Sequence, residues 1–425
     1  MKASAGKILM LVENNFPQDT RVRNEAFTLA QNGFEVTVIA LRAAGEKRHE
    51  IVRGVSVYRI PRLTLFKKLP GKTSWLRARL NKLRVVVGYV SEYAYFTSAC
   101  LFLSLYVAVK DGVDVVHAHN PPDTLFVVGA VHKLLGKKFV FDHHDLSPEL
   151  YRSRYKTGGG LVARALQLFE TLSVKLADVL IATNESYKAI DIERSHIDPE
   201  KVFVVRNGPD LNRVRLVDPD RALRDSGKTI LGYVGAMNPQ DGVDHLLRAL
   251  SHLRHVLHRT DFYCVLVGDG DSRKGLETLA KQLEIADHVR FTGFISDDDL
   301  VRYLSTSDIS LDPNPSSPLN DVSTWIKVME YMALSKPVIS FDLKETRTSA
   351  GPAALYVTPN DEAQFAAAIA QLMDDPAKRS QMGACGRTRV ETEFGWHITS
   401  KNLLAAYDHL FAGVPQHGAG HAEVA

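Results

Sequence analysis

Apolar runs of four to six residues alternate along the chain with longer stretches whose apolar positions recur at helical spacing. In the first half, Ile8–Val12, Val36–Ala40, Val113–His117 and Phe139–Phe141 read as strands. In the second half, Thr229–Val234, Phe262–Val267, Val289–Thr292, Ile309–Leu311 and Pro337–Ser340 do the same. Between them, Asn24–Asn32, Val243–His255, Ser272–Leu283 and Asp297–Ser305 carry the helical period. Strands that alternate with helices predict parallel α/β architecture, and the pattern runs twice. The chain is therefore expected to hold two doubly wound sheets, whose strand ends bind ligand at a shared cleft. The join falls near Arg206–Ser226, where Asn207-Gly208-Pro209 breaks regular structure. The expected division is a first domain at 1–206, a second at 207–395, a helix at 396–412 returning to the first, and a frayed tail at 413–425.

Length agrees, since 425 residues exceed what one ordinary core covers. A hydrophobic share of 45% and a charged share of 24% are those of a globular protein. Three scattered cysteines form no CxxC pair, which argues against a disulfide framework or zinc ribbon and fits a reducing compartment. The net charge of +3 gives no sign of a nucleic-acid partner, but its distribution matters. From Arg59 to Arg84 there are nine Lys or Arg and no Asp or Glu, interleaved with Leu, Phe and Trp. That mixture suits contact with an anionic membrane surface, with an anionic soluble glycan as the alternative. Val85–Val109 is apolar at nearly the length of a membrane span, yet Glu92 and several Tyr and Ser favour a buried or interface-facing helix.

Two stretches carry candidate chemistry. In the segment 313–337, three prolines keep the chain extended, and Asp321 or Ser323 is placed to cap the helix that follows. At 100° per residue, Ser323, Lys327 and Glu330 share one side and Trp325, Val328, Met329 and Met332 the other. Helix amides with Lys327 would hold a diphosphate, and Glu330 would accept from ribose hydroxyls. A solvated amphipathic helix explains the same period. The other stretch pairs His117 and His119 with Asp142-His143-His144-Asp145 at the ends of two strands. His117 and His119, two apart, share a face. Enough ligands are present for zinc or a two-metal hydrolase, but no later strand end completes such a centre. Arg21 is a candidate for an anionic group, or an ordinary surface arginine.

In order and spacing, several segments resemble glycosyltransferase family 4, the retaining nucleotide-sugar transferases of the GT-B fold. They include DTRVRNEAFTLAQNGFEVTVIA (19–40), DVVHAHNPPD (114–123), RNGPD (206–210), LGYVGAMNPQDGVDHLLRAL (231–250) and VMEYMALSKPVIS (328–340). The resemblance implies that Glu330 holds the donor ribose, that backbone at Phe294 and Ile295 meets the base, and that His119 contacts the transferred sugar. Beside these, the donor-side candidates are Gly235, Asp321, Val322, Ser323 and Lys327, and the acceptor-side candidates are Arg21, His143 and His144. The resemblance further implies a UDP-sugar donor, a glycan or lipid-linked acceptor and no metal or other cofactor; the cysteines and the basic run at 59–84 add the expectation of a cytoplasmic enzyme peripheral to the membrane. Two features depart from the family. Val322 stands eight before Glu330 where a second Glu is usual, and Ala236 and Asp241 stand where an Arg and a Lys are usual. A catalytically weak nucleotide-sugar-binding protein and a nucleotide-sugar epimerase on the same fold are the alternatives.

Overall fold

The computed structural model describes residues 5–63, 75–155 and 160–412, with backbone alone at 75–86, 154 and 155. The chain forms two compact units, one of residues 1–148, 159–205 and 400–425, the other of residues 149–158 and 206–399.

The first unit is built on β1 (Lys7–Asn15), β2 (Glu35–Arg42), β3 (His49–Val52), β4 (Val55–Pro61), β5 (Val115–His119), β6 (Lys138–His143), β7 (Val179–Ala182) and β8 (Val202–Val204). They lie in the order β3-β4-β2-β1-β5-β6-β7-β8, with only the β3–β4 pair antiparallel. Leu9, Met10, Leu11, Val116 and Phe141 are fully buried, as expected of strands covered by helices on both faces. The order doubles back at β1 and β5, so the connections diverge there, and the carboxyl ends of these two strands flank a topological switch point.

The second unit holds β9 (Thr229–Val234), β10 (Phe262–Val267), β11 (Val289–Gly293), β12 (Ile309–Asp312), β13 (Val338–Phe341) and β14 (Ala354–Val357) in one parallel sheet ordered β11-β10-β9-β12-β13-β14. Its switch point lies between β9 and β12. Two apolar cores cover this sheet. The first includes Leu246, Leu250, Ile369 and Leu372, and the second Val328, Met329, Tyr331 and Met332.

Several expectations need correction. The third expected strand begins two residues later and runs to His119, which therefore lies inside the sheet. The hairpin β3–β4 and the short strands β7, β8 and β14 were not expected. The helix expected at Val85–Val109 spans Trp75–Lys110. Within the basic run, Arg59 is buried and paired with Glu46 and Glu50, so it is a structural cation and not part of a surface. Residues 64–74 and the tail at 413–425 lie outside the described residues.

Candidate active site

In the second unit, β9 and β12 pair only through Ile309–Leu231 and Ser310–Gly232, and then diverge. Backbone polar groups beyond that point need other partners. The Tyr331 hydroxyl supplies them, accepting from the Val234 amide at 2.9 Å and donating to the Leu311 carbonyl at 3.3 Å. Tyr331 belongs to the helix Ile326–Ala333, which is thereby fixed at the switch point.

Lys327, in the first turn of that helix, is the cation at this point. Its ammonium lies 3.1 Å from Asp312 Oδ1 at the end of β12 and donates to Asn314 Oδ1. The rings of Tyr233 and Trp325 flank it at 4.9 and 5.2 Å. Gly235, at the end of β9, has φ +153°, and a Cβ there would come within 2.9 Å of the Tyr233 hydroxyl and 3.8 Å of Lys327 Cδ. Gly235 therefore lies beside the Lys327 side chain with no room for a larger residue. A Cβ on Gly268 would lie 1.9 Å from the Gly235 carbonyl oxygen, so the close approach at Gly268 is to the neighbouring turn.

Glu330, one turn on, is buried and receives a hydrogen bond from Arg213, which also pairs with Asp297 at 3.6 Å. Burial raises the Glu330 carboxyl pKa, against the pull of Arg213. Asp297 opens the helix directly after Phe294-Ile295-Ser296, so Arg213 ties Glu330 to the region of the base-contact candidates. Phe294 is 92% exposed and Ile295 packs against the core. Arg213 lies 117 residues from Glu330, so no local spacing in the sequence links the two.

The helix is not the amphipathic surface element that its period allows, because every residue from Lys327 to Ala333 is buried. Nor is it capped as expected. Trp325 occupies the N-cap without a side-chain bond, Asp321 sits in the preceding turn Asn320–Val322 with one oxygen accepting from Ser316, and Ser323 Oγ donates to the Leu319 carbonyl. Val322 is half-buried in the same turn. Asp241, where the family has Lys, accepts from the Asn238 amide at 2.9 Å in a capping box and serves the local turn.

In the first unit, His117 and His119 alternate with Ala118 on β5, and their rings stack at 4.2 Å. His119 Nδ1 bonds Asp142 at 2.7 Å, and its buried Nε2 has no protein partner. His117 Nδ1 bonds the Tyr407 hydroxyl at 2.9 Å. Burial would raise the Asp142 carboxyl, but Arg21 and His144 with hydrogen bonds from His119 and Arg21 hold it well below its usual range. Arg21 grips Asp142 with two bonds of 2.7 and 2.6 Å, donates to the Val205 carbonyl at 3.0 Å and pairs with Glu25. At 3% exposure it is an internal counter-ion and not the holder of an anionic group. Burial and then Asp142 push Glu25 up to about 7, and burial lowers His117 and His144.

His144 lies near His119, with ring centroids 6.0 Å apart. His143 does not, because successive residues of β6 face opposite sides. It bonds Asp191 at 2.7 Å and faces Glu170 at 3.6 Å. Burial alone would lower its pKa, yet Asp191 and Glu170 raise it to about 10. A basic group raised in the folded state contributes stability that is full below its unfolded pKa, near 6.5, and is lost as pH rises through about 10. Urea-unfolding stability of the wild type should therefore fall from pH 7 to 10 more steeply than that of His143→Gln. Parallel curves would show that the pair does not couple to folding.

Glu25, His117, His119 and Asp142 each offer a ligand atom within 4.8 Å of the others. The arrangement fits a cation poorly, because the Arg21 guanidinium already engages both Asp142 oxygens and neutralises its charge.

Residues 18–208 match the glycosyl transferase 4-like domain model, and residues 215–389 match the model of glycosyl transferases group 1. Among curated relatives, the chain is 29% identical over 255 residues to the D-inositol 3-phosphate glycosyltransferase of Thermobispora bispora, covering 56% of this chain and 58% of that one. It is 25% identical over 243 residues to the 2-deoxystreptamine glucosyltransferase of Streptomyces kanamyceticus, covering 56% and 60%. The chain thus spans about three-fifths of those two relatives. Solved structures align over almost the whole chain. Sucrose-phosphate synthase from Thermosynechococcus elongatus gives a TM-score of 0.68 at 20% identity over 96% of this chain and 99% of that one. Anabaena HepE in complex with UDP-glucose gives 0.66 at 17% over 96% and 100%. Together with the two Rossmann-like sheets, these matches place the chain in glycosyltransferase family 4, on the GT-B fold.

Proposed function

We propose that the protein is a retaining glycosyltransferase that moves a sugar from a UDP-sugar to a glycan or lipid-linked acceptor, as in surface polysaccharide or glycolipid assembly. The observation that carries this reading is Lys327 at the switch point of the second sheet, against Gly235 and one turn from the buried Glu330. Ligands of open α/β sheets bind at such points. The neighbour HepE has been solved with UDP-glucose, which supports a nucleotide-sugar donor here.

In this reading Lys327 and the first amides of the helix Ile326–Ala333 meet the diphosphate, and Glu330, steadied by Arg213, accepts from the ribose hydroxyls. The bond from the anomeric carbon to the diphosphate breaks and a bond to the acceptor oxygen forms on the same face. The acceptor proton passes to the departing diphosphate, so no carboxylate nucleophile is needed. A cavity of about 620 Å³ lined by Asn238, Gln240, Asp244, Ser317 and Asn320 opens beside the loops after β9 and β12 and offers hydroxyl partners to a sugar. His119 is the acceptor-side group, held through Nδ1 with Nε2 left for a sugar hydroxyl. No metal takes part, Arg21 standing where a cation would. The enzyme works in the cytoplasm, at an anionic membrane surface approached through the basic run from Arg62 to Arg84, without Arg59.

Two variants separate these roles. Glu330→Ala should weaken UDP-sugar binding by about 1–3 kcal/mol, the cost of losing a hydrogen bond to a charged group. His119→Ala should keep nucleotide binding and lose most of the transfer. Calorimetric titration and product assay, with and without a chelator, read both. Wild-type donor affinity in Glu330→Ala would move the ribose elsewhere, and loss of activity in chelator would restore the metal.

A further inference from the structure

At the amino edge of the first sheet, where β7 and β8 begin, lies a cavity of about 390 Å³. The helices Leu161–Leu176 and Glu185–Ser195 both end beside it, and Lys201, immediately before β8, lines it as well. His119 stands at the carboxyl end of β5, so the two places are on opposite edges of one parallel array.

The cavity has an apolar floor, on which Val174 and Leu180 are buried, and a one-sided charge. Lys175 and Lys201 line it from exposed positions, and neither ammonium meets a carboxylate among the described residues. Asp198 is the one acid in the lining, and its Oδ1 accepts from the Glu200 amide at 3.0 Å. Ser195 is the second mark. It is 1% exposed, and its Oγ has no hydrogen-bond partner in the protein. Other helical hydroxyls turn back to the carbonyl four residues before, as those of Ser173 and Thr278 do. That of Ser195 does not, and a buried hydroxyl is unfavourable until something pairs with it.

Helix ends account for only part of this. A cation in the last turn offsets the negative end of a helix, which explains Lys175. Lys201 belongs to neither helix, and a neutral hydroxyl answers no dipole. Two cations from different segments and a buried hydroxyl, set round an apolar floor, match a dianionic oxyanion carried on a small body. We propose that this cavity binds a small phosphate monoester. Lys175 and Lys201 meet the phosphate, Ser195 Oγ donates to it, and the body of the ligand rests on Val174 and Leu180. The site is separate from that of sugar transfer, and it stands whatever the donor and acceptor are.

Calorimetric titration of the full chain with phenyl phosphate, and with phenol as the uncharged control, tests it. Wild type should bind the ester and not the phenol. Lys175→Ala/Lys201→Ala, at exposed positions, should bind phenyl phosphate about tenfold more weakly or worse, the loss expected of charge-assisted hydrogen bonds. Ser195→Ala should leave the ligand-free thermal midpoint unchanged, because no protein contact is lost, and should shrink the upward shift that phenyl phosphate produces by mass action. No binding of phenyl phosphate by the wild type, or equal binding of phenol, would overturn the proposal. Affinity retained in the double lysine variant would put the ester elsewhere on the chain, the transfer site included, and overturn it too. A lower ligand-free midpoint in Ser195→Ala would show the hydroxyl already engaged within the fold and remove it from the site.

Discussion

Lys327→Ala should lower glycosyl-transfer turnover by about 10²–10³-fold, the usual effect of removing one group that stabilises charge in the transition state. Donor affinity should fall by less, because negative charge on the diphosphate grows as the glycosidic bond breaks, and that growth is what a fixed cation rewards. The substitution also strands Asp312, fully buried and held otherwise by Ser340 Oγ at 3.0 Å. An unpaired buried carboxylate costs on the order of 3–5 kcal/mol, so the single variant loses stability as well. Lys327→Ala/Asp312→Asn removes the stranded charge and separates the two effects. Its thermal midpoint should return toward wild type while turnover stays low. A folded double variant with normal turnover would dismiss Lys327 from the chemistry.

Arg21→Met should destabilise the first unit by about 3–5 kcal/mol, the cost of breaking a buried, hydrogen-bonded ion pair by removing one partner. Asp142 would then be a buried anion without its counter-ion, with His119 as its remaining side-chain hydrogen bond. Arg21→Met/Asp142→Asn should recover part of the loss, since the two residues form one network and their effects are not additive. Urea unfolding followed by far-ultraviolet circular dichroism reads each variant. A change within 1 kcal/mol for Arg21→Met alone, on the scale of an exposed ion pair, would mean that water reaches the pair and that the buried electrostatics described here do not hold.

The helices at Val243–His255 and Trp396–Phe411 could be read to their ends in the sequence, because apolar spacing alone decides a helix with one covered face. The hairpin at His49–Pro61 carries a local signal in the sequence. Its Arg53-Gly54 turn has both residues at positive φ, the geometry of a two-residue hairpin loop between alternating strands. The polar groups of the site are a different case. Spacing places Lys327 and Glu330 on one side of a helix but says nothing of what covers that side, and here a splayed pair of strands and Arg213 bury it. Arg21, on the helix after β1, and Asp142, 121 residues on, meet only because the sheet order β1-β5-β6 brings the ends of these strands together. No local pattern records such a pairing.

The path of the chain sets an order of assembly. The first unit is left at residue 205 and completed only by residues from 400 onward, where Tyr407 and Phe411 supply partners for His117 and Phe34. On a ribosome adding ~5–20 residues per second, the roughly 200 intervening residues take about 10–40 s. For that interval the first sheet, its strands already made, has neither its closing helix nor the hydroxyl that fixes His117. The second unit, continuous from 206 to 399 apart from a ten-residue segment already made, can fold while the first waits. A chain truncated after residue 399 and released from the ribosome should therefore show protease resistance in its later half and susceptibility in its earlier one, the reverse of vectorial folding.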